Sequence, residues 1–149
     1  MLLRTHLALT VLVLTLFISQ VNNKIPFLIV GLVATLLPDI DNGFSSIGKH
    51  KPFRFLQFFV RHRGIIHSFT FCIIVSIILS CFIPTISLAF FLGYGMHLFA
   101  DSFTKEGIIP FWPFKKKSSG FIRTGSLSET SFFLFLVLFD LIAIVFKFL

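Results

Sequence analysis

The sequence predicts an all-α integral membrane protein, a single domain over residues 1–149 that folds as a helical bundle with about five transmembrane spans. Two observations lead to this fold class. Of the residues, 56% are hydrophobic and only 13% are charged, whereas soluble domains are about 45–50% apolar and about 25% charged. The apolar residues also fall in runs that cross or nearly cross a bilayer, separated by loops rich in Lys and Arg.

The first two apolar runs differ in length. Residues 7–21 follow Arg4 and resemble a signal sequence, but no small-residue cleavage site follows them, so a retained helix is predicted. Residues 25–37 are apolar as well, yet at ~1.5 Å per residue they cover only about 20 Å of a hydrocarbon core of about 30 Å. This second span is therefore short or re-entrant, and it ends before Pro38, which disfavours helix at the preceding residue.

Three further spans are predicted at residues 65–82, 85–103 and 131–149. Pro84 divides the first two of these, and His67 is placed in the first helical turn of the third span. Basic loops at 45–63 and 105–130 precede the third and fifth spans. Within the first loop, residues 53–60 are predicted either to lie on the bilayer surface or to form a short core helix.

The distribution of Lys and Arg orients these spans. With the N-terminus and both basic loops on one side, that side carries eleven of the thirteen basic residues, namely Arg4, Lys49, Lys51, Arg54, Arg61, Arg63, Lys105, Lys115, Lys116, Lys117 and Arg123. Short cytoplasmic loops collect basic residues, so the N-terminus is predicted to be cytoplasmic and the C-terminus external. The same distribution accounts for the net charge of +7 without a nucleic-acid partner.

Under this topology, most of the histidines and half of the acidic residues meet at the cytoplasmic ends of the spans: His6, Asp39, Asp41, His62, His67, His97 and Asp101. Taken singly, the two aspartates after the second span could solvate a turn, and the i,i+4 pair of the fourth span could be an ordinary hydrogen-bonded pair. Ionisable groups at membrane depth are costly, however, and usually mark a site. Imidazole and carboxylate ligands suit zinc, with manganese as the second candidate. The sequence therefore predicts a site for one or two divalent metals, with a purely structural polar cluster as the alternative.

Three segments resemble the signatures of the YdjM family: residues 36–41 (LLPDID), 62–68 (HRGIIHS) and 93–104 (GYGMHLFADSFT). Thr5-His6 and the stretch from Gly107 to Pro113 fit the same pattern. The resemblance implies a bacterial inner-membrane protein with a metal-dependent hydrolase activity. More distantly, the order of His and Asp is similar to that of zinc-dependent phospholipase C and the P1-type nucleases, which cut phosphodiesters with clustered zinc ions.

The predicted function is metal-dependent hydrolysis of a phosphoester at the cytoplasmic membrane face. A metal-activated water is the expected nucleophile, Asp101 is both a ligand and a catalytic group, and Arg63, with Arg61 as a second candidate, neutralises a phosphate-like group. Because the site lies at headgroup level, a membrane lipid is a candidate substrate. The alternative is a non-catalytic polytopic membrane protein with a structural or transport metal site. The sequence does not specify the substrate or the oligomeric state.

Other polar residues receive simpler interpretations. His50 is predicted to be solvated between two lysines, and Ser68 to make a helix-start hydrogen bond in preference to acting as a nucleophile. Ser126 and Glu129 fit a capping box at the start of the last span, with a ligand role left open for Glu129. Asp140 lies near the middle of that span, far from the predicted metal site.

Overall fold

The computed structural model describes the backbone of residues 1–41 and 64–148 and the side chains of residues 1–39 and 64–147. Within these ranges the chain is helical, as predicted. Five α-helices follow one another: α1 (Leu3–Phe17), α2 (Lys24–Leu36), α3 (Phe69–Ser80), α4 (Pro84–Ser102) and α5 (Leu127–Phe148). Short 3₁₀ turns follow α1 at Ile18–Gln20 and α2 at Leu37–Asp41.

Two of the described helical segments, Leu3–Gln20 and Leu127–Lys147, are long and apolar enough to cross a membrane. The helix α3 is apolar but has only 12 residues, about 18 Å at 1.5 Å per residue. The helix α2 is similarly short, with 13 residues. The all-helical class is thereby confirmed for the described residues, with two candidate membrane spans, while the full set of five spans stays a prediction.

The start of α3 differs from the prediction. Instead of beginning near residue 65, the helix begins at Phe69, because the Ser68 hydroxyl accepts a hydrogen bond from the Phe71 N–H at 3.3 Å and caps the helix. His67 therefore lies in the turn before the helix and not in its first helical turn, which corrects the prediction. The role of Ser68 as a helix-start residue agrees with the interpretation preferred from sequence.

Contacts between α1 and its neighbours define their relative directions. The hydroxyl of Thr35 in α2 donates to that of Thr10 in α1 at 2.9 Å, while Leu14 of α1 contacts Gly31 of α2. As the residue number rises along α1 it falls along α2, so these two helices are antiparallel.

The last helix runs parallel to the first. Near their N-terminal ends, Thr5 of α1 donates to the Glu129 carboxylate of α5 at 3.1 Å. At the other end, the Lys147 ammonium donates to the Ser19 hydroxyl at 2.8 Å. The start of α5 therefore lies beside the start of α1.

The helices α3 and α4 form an antiparallel hairpin. Ser87 of α4 donates to the carbonyl of Ser76 in α3 at 2.7 Å, and Cys72 of α3 lies 3.9 Å from the carbonyl of Phe91 in α4. Consecutive helices on both sides of the undescribed loop thus alternate in direction.

The closest helix packing in the described chain joins α2 and α4, which are parallel. A Cβ atom added to Gly93 would lie 2.0 Å from the carbonyl oxygen of Gly31, so the two backbones touch. Glycine lets membrane helices approach in this way. Because Gly31 contacts Gly93 and, one turn further along both helices, Thr35 contacts His97, the C-terminal ends of α2 and α4 lie together, at the end of the bundle where α1, α3 and α5 begin. We call this the site end. Below it, a core cluster contains Ala34, Cys72, Phe90, Tyr94, Leu98 and Ile108.

Candidate metal centre

Asp101, in the last turn of α4, is the centre of a buried polar cluster at the site end. Its side chain is only 6% exposed. The Oδ1 atom lies 3.3 Å from Nε2 of His6 and pairs with the α-amino group of Met1. The Oδ2 atom lies 3.2 Å from Nε2 of His67 and 3.8 Å from Nε2 of His97. One carboxylate thus contacts three imidazoles that come from α1, the turn before α3, and α4.

His97 is oriented by the backbone of α2. Its Nδ1–H donates to the carbonyl of Thr35 at 2.8 Å, and since a carbonyl only accepts, a neutral His97 ring presents the Nε2 lone pair to the cluster. A backbone carbonyl is a common partner of this kind for a metal-ligating histidine. Nε2 is buried and has no hydrogen-bond partner among the described residues. An unpaired buried polar atom is costly, and a bound cation would satisfy it.

The three imidazoles pack against one another. The rings of His6 and His97 stack with their centroids 3.9 Å apart and their planes 6° apart, and His67 meets His97 edge-on at 5.4 Å. The three side chains are between 0% and 2% exposed. The cluster is therefore shielded from solvent by the described part of the chain.

Asp39 is the more open member of the cluster. It lies in the 3₁₀ turn after α2, its Oδ1 is 3.9 Å from Nε2 of His97, and its side chain is 19% exposed. Burial raises the pKa of the Asp39 carboxyl, and the nearby His6 opposes that shift. The side chain of Asp41 lies outside the described residues.

The loop between α2 and α3 contains several residues predicted to serve the site. His62 and the two arginines, Arg61 and Arg63, lie outside the described residues, as do His50 and the segment 53–60. Five of the seven predicted metal ligands thus have described side chains: His6, Asp39, His67, His97 and Asp101. All five lie at the site end, and each has a polar atom within 4 Å of another member of the group.

The turn that carries His67 is held by two long-range hydrogen bonds. The Tyr94 hydroxyl donates to the carbonyl of Ile66 at 2.6 Å, and the Phe69 N–H donates to the carbonyl of Pro110 at 2.8 Å. Tyr94 is 1% exposed in the core. The loop after α4 and the middle of α4 together therefore position the turn that brings His67 to Asp101.

Glu129 anchors the N-terminus of α1. Its carboxylate, buried at 0% exposure, accepts the Leu2 N–H at 2.6 Å, the Thr5 hydroxyl at 3.1 Å and the Gly125 N–H at 2.6 Å. The predicted capping box is only half present: the Ser126 hydroxyl accepts the Glu129 N–H at 3.4 Å, but the Glu129 carboxylate binds these other donors. Glu129 thereby holds the first turn of α1, from which His6 reaches Asp101.

The cluster has the donor set of a divalent metal site. One ligand atom each from His6, His97 and Asp101 lie within 4.8 Å of one another. Two ligands about 2.1 Å from one zinc ion are separated by at most about 4 Å, so the His6–Asp101 and His97–Asp101 separations of 3.3 and 3.8 Å fit a common ion. A metal would also offset the cost of burying the carboxylates of Asp39 and Asp101.

The contacts of two residues that shape the site were not predicted from the sequence. Thr35 supplies the carbonyl that orients His97, and Glu129 fixes α1 without a predicted partner. The only local signal for Thr35 is its position four residues, about one helical turn, before Asp39. The partners themselves come from packing between segments that are distant in sequence.

Asp140 is not part of the cluster. It is 8% exposed and lies eleven residues after Glu129 in α5, about 16 Å along the helix axis. Its Oδ1 has no hydrogen-bond partner among the described residues. This position agrees with the prediction that Asp140 lies far from the cluster.

Comparison with known proteins identifies the family. A family model described as YdjM inner membrane protein matches residues 1–147. The chain is also 33% identical over 105 residues to a Bacillus subtilis (strain 168) protein named "Uncharacterized protein YvsG", and the alignment covers 66% of each chain, just under two thirds of that relative. No solved structure matches. The resemblance to zinc-dependent phospholipase C and P1-type nucleases is not shown by these comparisons and stays a prediction. The match over residues 1–147 places the chain in the YdjM family of inner membrane proteins.

Proposed function

We propose that this protein is a metal-dependent hydrolase of a phosphoester, embedded in the inner membrane with its site at the cytoplasmic face. The observation that carries the proposal is the buried cluster in which one carboxylate, Asp101, lies between His6 on one oxygen and His67 and His97 on the other. Such a cluster suits one metal, or two metals bridged by Asp101. A bound divalent ion would supply Lewis-acid activation of water.

Zinc is the metal best matched by this donor set, with manganese second, because three imidazoles and two carboxylates are present and no cysteine contacts the described cluster. The residues proposed to hold it are His6, Asp39, His67, His97 and Asp101, together with Asp41 and His62, whose side chains lie outside the described residues. The Thr35 carbonyl keeps Nε2 of His97 directed to the site, which preserves the tautomer that binds metal.

The proposed topology has five spans with the N-terminus in the cytoplasm. The alternating directions of the described helices support it, since the starts of α1, α3 and α5 lie at the same end as the C-terminal ends of α2 and α4. That end also carries the basic loops, as cytoplasmic ends do. The short helices α2 and α3 are accommodated by tilt or by local thinning of the bilayer.

We assign Arg63 to substrate binding. Its guanidinium cannot ligate a cation, but it binds phosphate oxygens through a planar fork of donors. Because the proposed site lies at headgroup level, we propose that the substrate is a lipid phosphoester. We also propose that the protein has no nucleic-acid partner, because its basic residues are accounted for by the cytoplasmic loops. Asp101 contributes to catalysis as a ligand of the metal that would activate water.

The test is metal analysis of the detergent-purified protein, together with hydrolysis assays on p-nitrophenyl phosphate and dipalmitoyl phosphatidic acid before and after chelation. Wild type should hold about one or two divalent ions per chain. The variants His62→Ala and Asp101→Ala should lose bound metal, while His50→Ala, the matched control, should keep it. Wild-type protein without zinc, manganese or iron above background would end the proposal.

A second candidate function is a structural metal site without catalysis. It is favoured by the origin of the ligands, because four separate segments meet at one buried point and a metal there would join them. A purely structural metal would raise the unfolding temperature but leave every phosphoester intact. Metal-dependent turnover that disappears in Arg63→Lys, with metal content unchanged, distinguishes the enzyme from this alternative.

A further inference from the structure

We propose that an apolar groove beside the metal centre binds a hydrocarbon chain of the substrate, which makes that substrate an anionic lipid. This inference rests on the proposed function and names its substrate class. The groove has a volume of about 400 Å³, within the range of about 300–1,000 Å³ that is typical of small-molecule sites.

Two residues that line the groove adjoin the metal centre. Met1 lines it, and the α-amino group of the same residue pairs with Asp101. Ala100, which immediately precedes Asp101 in α4, lines it as well. A ligand in the groove therefore has one end next to the carboxylate around which the histidines gather.

The walls of the groove are apolar. Its other lining residues include Leu9, Phe99, Phe103, Phe121, Ile122 and Phe132, and Ser128 is the single polar side chain among the described lining residues. Walls with a single hydrogen-bonding side chain favour a hydrocarbon over a sugar or a peptide, because most polar groups placed there would lose their hydrogen bonds to water.

The groove runs along the helices. It extends from Met1, which precedes α1, to Leu9 in α1, and Leu9 is six residues beyond the start of that helix, about 9 Å along its axis. The proposed spans cross the bilayer, so this direction is that of a lipid chain. A chain entering from the site end would have its headgroup at the metal centre and its hydrocarbon between α1, α4 and α5.

Positive charge lies at the mouth of the groove. The Lys105 N–H donates to the carbonyl of Ile122 at 2.9 Å, and Arg123 follows Ile122 directly, so two exposed basic side chains flank a lining residue. The loop between α4 and α5 carries five basic residues and one acidic residue, Glu106. An apolar groove with a positive mouth is complementary to a lipid with a negatively charged headgroup.

The test fills the groove with a large side chain. Ser128 is exposed in the first turn of α5 and lines the groove, so Ser128→Trp should block it with little effect on the core. Ser80→Trp makes the same change at an exposed position at the opposite end of the bundle and is the control. Leu9→Trp, on the facing wall, replaces Ser128→Trp if that variant does not fold.

The probe is dipalmitoyl phosphatidic acid, with its binding to the metal-loaded, detergent-purified protein measured by native mass spectrometry. Ser128→Trp should weaken binding by about tenfold, the loss expected when about two methylene groups can no longer be buried. Ser80→Trp should bind as wild type does, and glycerol 3-phosphate, which has no chain, should bind wild type and Ser128→Trp alike.

Two results would overturn the inference: equal lipid binding by wild type and Ser128→Trp, or a protein dimer that Ser128→Trp dissociates, since the groove would then take a second copy of the chain. The outcome is separable from that of the proposed function. Groove-dependent lipid binding without metal-dependent hydrolysis would support the lipid site and refute the enzyme. Hydrolysis of p-nitrophenyl phosphate without groove-dependent lipid binding would support the enzyme and refute the lipid site.

Discussion

The contact between α2 and α4 sets the geometry of the metal centre, and Gly93→Ala tests it. The added methyl group would lie 2.0 Å from the Gly31 carbonyl oxygen and 2.8 Å from its carbonyl carbon. Ordinary contact begins at 3.4 Å, and backbone atoms cannot move aside as a flexible side chain does. The helices must therefore separate by more than an ångström at this point.

The change in the free energy of unfolding of Gly93→Ala combines two destabilising effects and one stabilising effect. Overpacking costs about 1–3 kcal/mol, and loss of the hydrogen bond from His97 to Thr35, one turn further along both helices, adds about 0.5–1.5 kcal/mol. Replacing glycine by alanine in a helix returns about 1 kcal/mol. The net destabilisation is about 2 kcal/mol, or roughly 4–8 °C in unfolding temperature for a chain of this size.

The matched control is Gly95→Ala. A Cβ atom on Gly95 meets nothing within 4 Å, so only the gain in helix propensity remains and the unfolding temperature should hold or rise. Circular dichroism melts of both variants in the same detergent, with metal content measured in parallel, provide the comparison. Gly93→Ala should also lose metal, since it separates Asp39 from His97. Equal unfolding temperatures for the two variants would refute the packing argument.

Four further predictions concern the site and the topology. Glu129→Ala should cost about 1–3 kcal/mol, because buried N–H groups lose their acceptor, and should weaken metal binding about 10–100-fold through the loss of His6 positioning; unchanged metal affinity on titration would argue against that role. Arg63→Lys should keep metal and fold yet lose most turnover, since Lys keeps the charge but not the forked donor; full activity would remove Arg63 from the mechanism. Lowering the pH should release metal, because protonated imidazoles cannot bind it, and metal retained through acid titration would exclude histidine ligands. Cysteines introduced at Ser46 and Leu149 should label from opposite sides of the membrane, and labelling from the same side would contradict five spans.

Much of the helix pattern was predictable because apolar runs and prolines are local signals. Pro38 and Pro84 each mark a helix boundary close to where the structure has it. The start of α3 was missed by four residues because an apolar run does not reveal that Ser68 caps the helix. Hydropathy reports which residues avoid water, whereas a helix begins where the backbone N–H groups find an acceptor.

From the sequence alone, the polar residues were predicted to meet at one end of the bundle. That prediction requires only a number of spans and their alternation, which were inferred from hydropathy and from the positions of Lys and Arg. It required no knowledge of which helix touches which. His6 and Asp101, 95 residues apart, could therefore be assigned to one face before any contact was known.

Only the tertiary structure decided which atoms pair. The stacking of His6 on His97, the Thr35 carbonyl that orients His97 and the Glu129 carboxylate that holds α1 all depend on the rotation and separation of neighbouring helices. In a bilayer, lipid tails are as apolar as leucine side chains, so hydrophobicity does not choose the packing face. The packing face is instead chosen by where the helices can approach closely, as at the Gly31–Gly93 contact. The sequence shows two glycines in apolar runs, but it does not show that they contact each other.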